Sequence, residues 1–393
     1  MQKIHQKKSD LHLYYLPPVK QDSTFNWITV LCEELEKRKN IKINLLNDTW
    51  ISIPPWKIWS NFFKSKVVKK NGKVFFYELL PFRRFLLITK SNFFLNFCML
   101  KVKRIFFKKI SNTVLISAVF NRVTTLAANS LNPSLILTDA CDYLDINQFN
   151  YSRQLSSATL TNSLPLYNYH KKIGRTYLIS AGYYKKNDIF LLNKNFKYRS
   201  KTVVFIGTLD RATDFYLIEF SMKELKNFQF RFYFFSRLKG YEKHINAEDI
   251  KKNKHANDLW KKIQKMSNYW GKVVVNQSEL SKISIEGSVG IIPYNQNNSF
   301  NKFRHPIKFY NYKALGLPIV SVVLESISLY SSERCKFTND YRKFTSYISS
   351  LSLISITKKQ KDEDLLLAHK HTVEKKCDDV VAIVNKELLF LNQ

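Results

Sequence analysis

Short apolar runs alternate with segments of helical periodicity along most of the chain. Apolar runs predict strands over 12–16, 41–46, 73–80, 113–117, 134–138, 203–206, 228–235 and 273–275. Apolar positions three and four apart predict helices over 26–39, 214–225, 257–266 and 277–283, and one or two more within 362–391. This alternation predicts an α/β protein that is built on parallel sheets.

The clearest unit of this kind lies over 287–323, where a buried strand and a polar loop come first. Pro306 is then predicted to open a helix, because its fixed φ suits the first helical position and its missing N–H is not needed there. Gly316 ends the helix as a cap, and Pro318 prevents its continuation. A second apolar strand follows, which completes a strand–loop–helix–strand unit.

The faces of this helix predict different roles. The side that is expected to pack on the sheet carries Ile307, Tyr310 and Ala314. Lys308 and Asn311 are neighbours on another side, and Arg304 and His305 come just before the first turn. A helix N-terminus attracts anions, so these residues indicate a diphosphate site. An ordinary amphipathic helix with a solvated basic edge explains the same pattern.

The run 305–320 resembles the donor-site signature of GT-B glycosyltransferases related to glycosyltransferase family 4, Asn-Pro-x-Lys-x-Tyr-Glu-Tyr-x-Ala-x-Gly-x-Pro-Val-Val. The preceding Gly-Ile-Ile-Pro-Tyr of 290–294 is similar to that family's Gly-x-x-Pro-Phe. Two positions differ. The family glutamate that usually binds the ribose hydroxyls is Asn311 here, and the asparagine before the proline is His305. An asparagine still hydrogen-bonds a hydroxyl, but without a charge to strengthen the bond.

This resemblance implies the GT-B fold, an α/β architecture in which two Rossmann-like doubly wound domains face each other across a cleft. The expected division is an acceptor-side domain over 1–185, a polar basic linker over 186–201 and a nucleotide-sugar-binding domain over 202–360. The remaining segment, 361–393, is expected to form a helix that returns to the first domain.

The resemblance also assigns roles at the donor site. Lys308, Arg211 and the helix that opens at Pro306 are expected to hold the diphosphate and to stabilise the leaving nucleotide. The other expected donor contacts are Gly207, Thr208, Tyr294, Arg304, His305, Tyr310 and Asn311. On the sequence alone, Arg211 fits equally well as a solvated loop charge.

Acidic residues near predicted strand ends are candidates for the acceptor side. Asp139 and Asp142 follow the strand at 134–138, in a segment similar to the Tyr-Asp-x-x-Asp-Asp element of the same family. Open α/β sheets bind ligands at the carboxyl ends of their strands, so both are candidates for acceptor contacts, and Asp142 for catalytic proton handling. Asp22 lies just past the first strand. Capping of the following helices is the alternative for each of them.

The net charge is strongly positive. The 393 residues include 63 Lys and Arg against 31 Asp and Glu, which gives a formal charge of +32. Such a charge attracts nucleotides, anionic lipids or nucleic acid. Nucleic acid is the less expected partner, because the basic residues are spread along the chain and no zinc-finger or RNP-type motif occurs.

Aromatic and basic residues alternate over 82–109, which predicts either interfacial membrane helices or core helices with basic outer faces. No signal peptide and no apolar run of transmembrane length is recognised. The five cysteines form no C-x-x-C pair, which is typical of reduced thiols. We therefore expect a cytoplasmic protein, and the first of the two interpretations of 82–109 would place it peripherally on the inner face of the membrane.

The expected activity is transfer of a sugar from a nucleotide-diphosphate sugar to a glycan or lipid-linked acceptor, in surface polysaccharide or glycoconjugate synthesis. The resemblance implies a hexosyltransferase-like enzyme that retains the anomeric configuration. No metal and no cofactor is expected, because cationic side chains supply the charge. Two alternatives stay open: a non-catalytic GT-B-like protein, which Asn311 allows, and a basic nucleic-acid-binding protein.

Overall fold

The computed structural model describes residues 11–16, 27–38, 40–47, 67–70, 74–78, 113–118, 128, 132–140, 154–183, 201–207, 209, 212–235, 254–274, 289–297, 299–354 and 356–391. Two sheets account for the strands in these ranges. The first contains Leu11–Leu16 (β1), Ile41–Asn47 (β2), Val67–Lys70 (β3), Val74–Glu78 (β4), Thr113–Ser117 (β5), Leu135–Asp139 (β6), Ala158–Thr161 (β7) and Thr176–Leu178 (β8). The second contains Thr202–Gly207 (β9), Gln229–Phe235 (β10), Tyr269–Val274 (β11), Val289–Ile292 (β12), Ile319–Ser321 (β13) and Cys335–Phe337 (β14).

Both sheets have the strand order of doubly wound α/β domains. The first runs β3-β4-β2-β1-β5-β6-β7-β8, with only the β3–β4 pair antiparallel among its described strands. The second runs β11-β10-β9-β12-β13-β14 and is parallel throughout. In the second sheet the order reverses between β9 and β12. Such a switch point opens a crevice at the carboxyl ends of the strands.

Helices connect and cover these strands. Within the described ranges they are Trp27–Glu36 (α1), Leu164–His170 (α2), Phe215–Glu224 (α3), Lys254–Gln264 (α4), Ile307–Ala314 (α5), Glu325–Ser328 (α6), Tyr341–Leu351 (α7), Lys358–His369 (α8) and Val373–Leu391 (α9). The segment 277–283, where a helix was predicted, lies outside the described residues. None of the described helices combines the length and apolar character that crossing a bilayer requires.

The helix of the central unit, α5, forms much as the sequence predicts. Pro306 is its N-cap residue, so the helix begins at Ile307, one position later than predicted. Gly316 adopts a φ of 65°, and the N–H groups of Gly316 and Leu317 bond back to the carbonyls of Lys313 and Tyr312, both at 2.9 Å. These two bonds form a Schellman motif, which needs a residue that tolerates positive φ.

The sheet-facing side of α5 differs from the prediction. The Tyr312 hydroxyl accepts from the Ile206 N–H at 3.0 Å and lies 3.0 Å from the Ile291 carbonyl, so Tyr312 meets the sheet. Tyr310 is two residues away, roughly 200° around the helix, and lies on the other side. The sequence does not reveal this because α5 is buried on almost every side, from Phe309 to Ala314.

Gly290 in β12 makes room for the Tyr312 ring. A Cβ at this position would lie 2.6 Å from Cγ of Tyr312, whose ring is fully buried. We expect Gly290→Ala to lower the free energy of unfolding by about 1–3 kcal/mol, because overpacking forces the ring or the strand to move. Urea denaturation measures this change. The control is Gly174→Ala, where nothing lies within 4 Å of the added Cβ. Equal midpoints for the two variants would contradict the prediction.

The last helix crosses back to the first sheet, as predicted. Cys377 donates its thiol to the Leu31 carbonyl of α1 at 3.6 Å, and Val380 and Val384 join the apolar core of the first sheet. Glu387 accepts hydrogen bonds from Arg175 at 2.8 Å and from the Tyr177 hydroxyl at 2.5 Å. The two-lobed α/β fold with a returning C-terminal helix is therefore confirmed.

The exact division of the chain into domains stays a prediction, and most of the expected linker at 186–201 lies outside the described residues. The aromatic and basic segment at 82–109 also lies outside the described residues. Strands β3, β7, β8 and β14 were not predicted, because each has only three or four residues and gives little periodic signal.

Candidate functional site

The site begins at the switch point of the second sheet, where β9 ends in Gly207. Its φ of 130° is a conformation that side chains other than glycine rarely adopt. A Cβ at Gly207 would lie 3.2 Å from Nζ of Lys308. The glycine therefore lets the lysine ammonium approach the backbone at the carboxyl end of the central strand.

Lys308 belongs to the first turn of α5 and lies over an aromatic surface. Its Nζ is 4.1 Å from the Phe205 ring centroid and 5.0 Å from that of Tyr294. The Arg304 guanidinium carbon lies 4.8 Å from the same Tyr294 ring. These rings hold the cations through their negative faces. Two positive charges are thereby placed at the ends of β9 and β12, where an anion would be bound favourably.

Hydrogen bonds connect the loops after β9 and β12. Thr213 and Tyr294 form an antiparallel bridge, and the Asn295 N–H donates to the Ala212 carbonyl at 2.8 Å. Asn301 is fully buried, and its amide group donates to the carbonyls of Ala212 at 2.9 Å and Asn295 at 2.7 Å. The role of Asn301 could not be predicted, because nothing in the sequence distinguishes it from the other asparagines of its polar loop.

The segment before α5 lies against the first lobe. The Ser163 hydroxyl, at the start of α2, donates to the Phe303 carbonyl at 2.6 Å, and the ring centroids of Tyr169 and Phe303 are 6.1 Å apart. The Ser326 hydroxyl donates to the Arg304 carbonyl at 2.5 Å. The N-terminus of α5 is thus held beside the junction of the lobes. Its N-cap, Pro306, provides no side-chain acceptor for the first-turn amides.

His305 contributes no positive charge at neutral pH. Burial, with a smaller effect from His371, lowers the pKa of His305 to about 3. Its Nε2 is 2.8 Å from the hydroxyl of Tyr310, which is fully buried. The Tyr310 ring packs against His305 and His371, which gives no support to a direct donor contact from Tyr310, and the donor contact predicted for His305 stays a prediction. Asn311 is buried within the same helix, and its predicted ribose contact stays a prediction.

Of the predicted acceptor-side residues, the structure describes Asp139. It ends β6, is almost fully buried and accepts a hydrogen bond from the Tyr15 hydroxyl of β1. This places a carboxylate at the carboxyl edge of the first sheet, and its predicted acceptor contact stays a prediction. Thr208, Arg211, Asp142 and Asp22 lie outside the described residues.

Comparison with known proteins identifies the fold. Neither protein-family models nor curated proteins match this chain. Sucrose-phosphate synthase from Thermosynechococcus elongatus superposes with a TM-score of 0.64 at 11% identity, covering 98% of this chain and 100% of that chain. HepE from Anabaena, in complex with UDP and glucose, superposes with a TM-score of 0.62 at 10% identity, covering 96% of this chain and 100% of that chain.

A third similar structure is an alpha,alpha-trehalose-phosphate synthase (UDP-forming) from Burkholderia xenovorans, in complex with glucose-6-phosphate. Its TM-score is 0.63 at 10% identity, with 95% of this chain and 100% of that chain covered. The likeness extends over both lobes in all three cases. The chain therefore has the GT-B fold.

Proposed function

We propose that this protein is a glycosyltransferase that uses a nucleotide-diphosphate sugar as donor. The observation that carries the proposal is the Lys308 ammonium beside Gly207, at the switch point of the second sheet and in the first turn of α5. This is the position where doubly wound sheets bind ligands and where a helix N-terminus attracts phosphate. The similar HepE structure contains UDP and glucose, and the similar trehalose-phosphate synthase is named as UDP-forming and contains glucose-6-phosphate.

The proposed mechanism is electrostatic stabilisation of the leaving nucleotide. The first-turn amides of α5, Lys308 and Arg304 would bind the diphosphate, and the loop residues Thr208 and Arg211 would complete the contacts. As the bond between sugar and phosphate breaks, negative charge grows on the diphosphate. Fixed positive charges at that position lower the barrier because they need no reorganisation during the reaction. Asn311 would hydrogen-bond the ribose.

The acceptor is proposed to be a glycan or a lipid-linked sugar that binds on the side of the first lobe. Asp139 and Asp22 would contact it, and Asp142 would handle the proton. The finer parts of the proposal are retention of configuration, catalysis without a metal, a role in surface polysaccharide synthesis and peripheral association with an anionic membrane. They rest on the resemblance and on the basic charge of the chain.

The first experiment is thermal denaturation with UDP, ADP and GDP, their glucose conjugates and their nucleosides. We expect one nucleoside diphosphate to raise the Tm by several degrees, because a ligand at a hundred times its Kd stabilises the fold by about 2.7 kcal/mol. The corresponding nucleoside should give a smaller rise. No shift with any nucleotide would contradict the proposal.

Release of nucleoside diphosphate from the bound donor then distinguishes a glycosyltransferase from a non-catalytic GT-B-like protein. A catalyst releases it in the presence of a sugar acceptor, whereas a non-catalytic GT-B-like protein binds the donor and leaves it intact. A filter-binding titration with RNA and DNA at rising salt is the third arm. Tight, salt-sensitive binding of nucleic acid without any nucleotide shift would favour the nucleic-acid-binding alternative.

A further inference from the structure

The junction between α8 and α9 is paired with the segment that follows β8. The His371 carbonyl accepts hydrogen bonds from the N–H groups of Gly182 at 3.0 Å and Tyr183 at 2.6 Å. The Val373 N–H donates to the Tyr183 carbonyl at 2.7 Å, and Thr372 forms a parallel bridge with Tyr183. The backbone of His371 is therefore fixed at the place where the chain returns to the first lobe.

The side chain of His371 extends from this junction to α5. Its ring stacks on Tyr310 with a centroid distance of 4.3 Å and an interplanar angle of 28°. Tyr310 in turn stacks on His305 at 5.5 Å, and its hydroxyl lies 2.8 Å from the His305 Nε2. His305 directly precedes Pro306, the N-cap of α5. Three rings thus connect the lobe junction to the first turn of this helix.

The first turn of α5 is held on two sides. Lys308 extends towards Gly207 on one side, and Tyr310 rests on His371 on the other. We propose that His371 is a positioning residue that fixes this turn, and with it Lys308, where a diphosphate binds. This inference rests on the proposed function, and it concerns how the phosphates are held rather than which sugar is transferred.

Two further anchors of α5 lie in its second half, beyond the Ser163 and Ser326 hydroxyls that hold the segment before it. Tyr312 bonds to the sheet, and Lys313 forms an ion pair with Asp364 of α8 at 2.7 Å. Loss of the His371 ring should therefore loosen the first turn while the rest of the helix stays in place. The consequence should be confined to the part of a ligand that this turn contacts, which is the diphosphate and not the base.

Calorimetric titration with UDP and with uridine tests this separation. We expect His371→Ala to weaken UDP binding about tenfold, which is about 1.4 kcal/mol, and to change uridine binding by less than about twofold. His371→Phe keeps an aromatic ring against Tyr310 and should restore UDP binding. The control is His369→Ala, two residues earlier in the same segment, which should bind both ligands like the wild type.

Amide hydrogen exchange gives a second result that needs no ligand. In the first turn, the Phe309 N–H donates to the Pro306 carbonyl at 3.0 Å. Its exchange should be faster in His371→Ala and return to the wild-type rate in His371→Phe. Unchanged exchange, or equal losses of UDP and uridine affinity, would overturn the inference. Absence of binding of UDP, ADP and GDP alike by the wild type would instead count against the proposed function, and the exchange rates would then decide the role of His371.

Discussion

Replacing Asp364 with alanine is expected to lower the free energy of unfolding by about 3–5 kcal/mol, because it leaves two buried cations without their shared carboxylate. Lys313 Nζ lies 2.7 Å from one oxygen of Asp364, and Arg334 bonds to the other. The side chains of Lys313 and Arg334 are each 6% exposed. Arg334 also donates to the Gly316 carbonyl at 2.7 Å, just beyond the end of α5.

Urea denaturation monitored by circular dichroism measures this effect. The matched control is Asp378→Ala, since Asp378 pairs with Arg38 at 2.7 Å but its side chain is 62% exposed. An exposed ion pair contributes about 0–1 kcal/mol. If the two variants lost the same stability, the Asp364 cluster would not be the buried anchor described above.

Lys308→Ala is expected to lower kcat/KM for donor turnover by about 10²–10³-fold, the loss typical of removing one fixed group that stabilises transition-state charge. The variant should stay folded, because Lys308 is half-buried and alanine is a good helix former. Released nucleoside diphosphate, measured over a range of donor concentrations, gives kcat and KM separately. A loss in kcat would show that the ammonium acts as charge develops, whereas a rise in KM alone would assign it to ground-state binding.

Lys343→Ala is the control for this measurement. Lys343 is an exposed lysine on α7 of the same lobe, so its removal changes the net charge by the same amount without touching the site. We expect turnover close to that of the wild type. An equal decrease in both variants would indicate that donor turnover depends on overall charge and not on the position of Lys308.

Much of α5 and its surroundings could be predicted from the sequence, because local signals determine them. Pro306 and Gly316 mark the two ends of the helix through backbone constraints that need no tertiary contact. The apolar runs of β9 and β12 predict a buried parallel sheet in the same way. The GT-B arrangement of two such sheets followed from resemblance to a family and not from these local patterns.

Long-range partners could not be predicted. Lys313 looks like a solvated lysine in the sequence, and its carboxylate partner, Asp364, is 51 residues away. His305 directly follows Arg304, which indicates a cluster of positive charge, yet burial against Tyr310 and His371 makes it a half-buried neutral ring. Tyr310 and Tyr312 are the same type of residue two positions apart, and only the packed structure shows which one contacts the sheet. In each case a contact that is distant in sequence decides the role of the residue.

The central claim is that Lys308 and the first turn of α5 bind a diphosphate, and calorimetric titration of UDP and uridine into the wild type and Lys308→Ala tests it most directly. The account predicts that the wild type binds UDP more tightly than uridine, and that Lys308→Ala loses about tenfold in UDP affinity while uridine affinity stays the same. Equal UDP affinity in the folded variant and the wild type would contradict it.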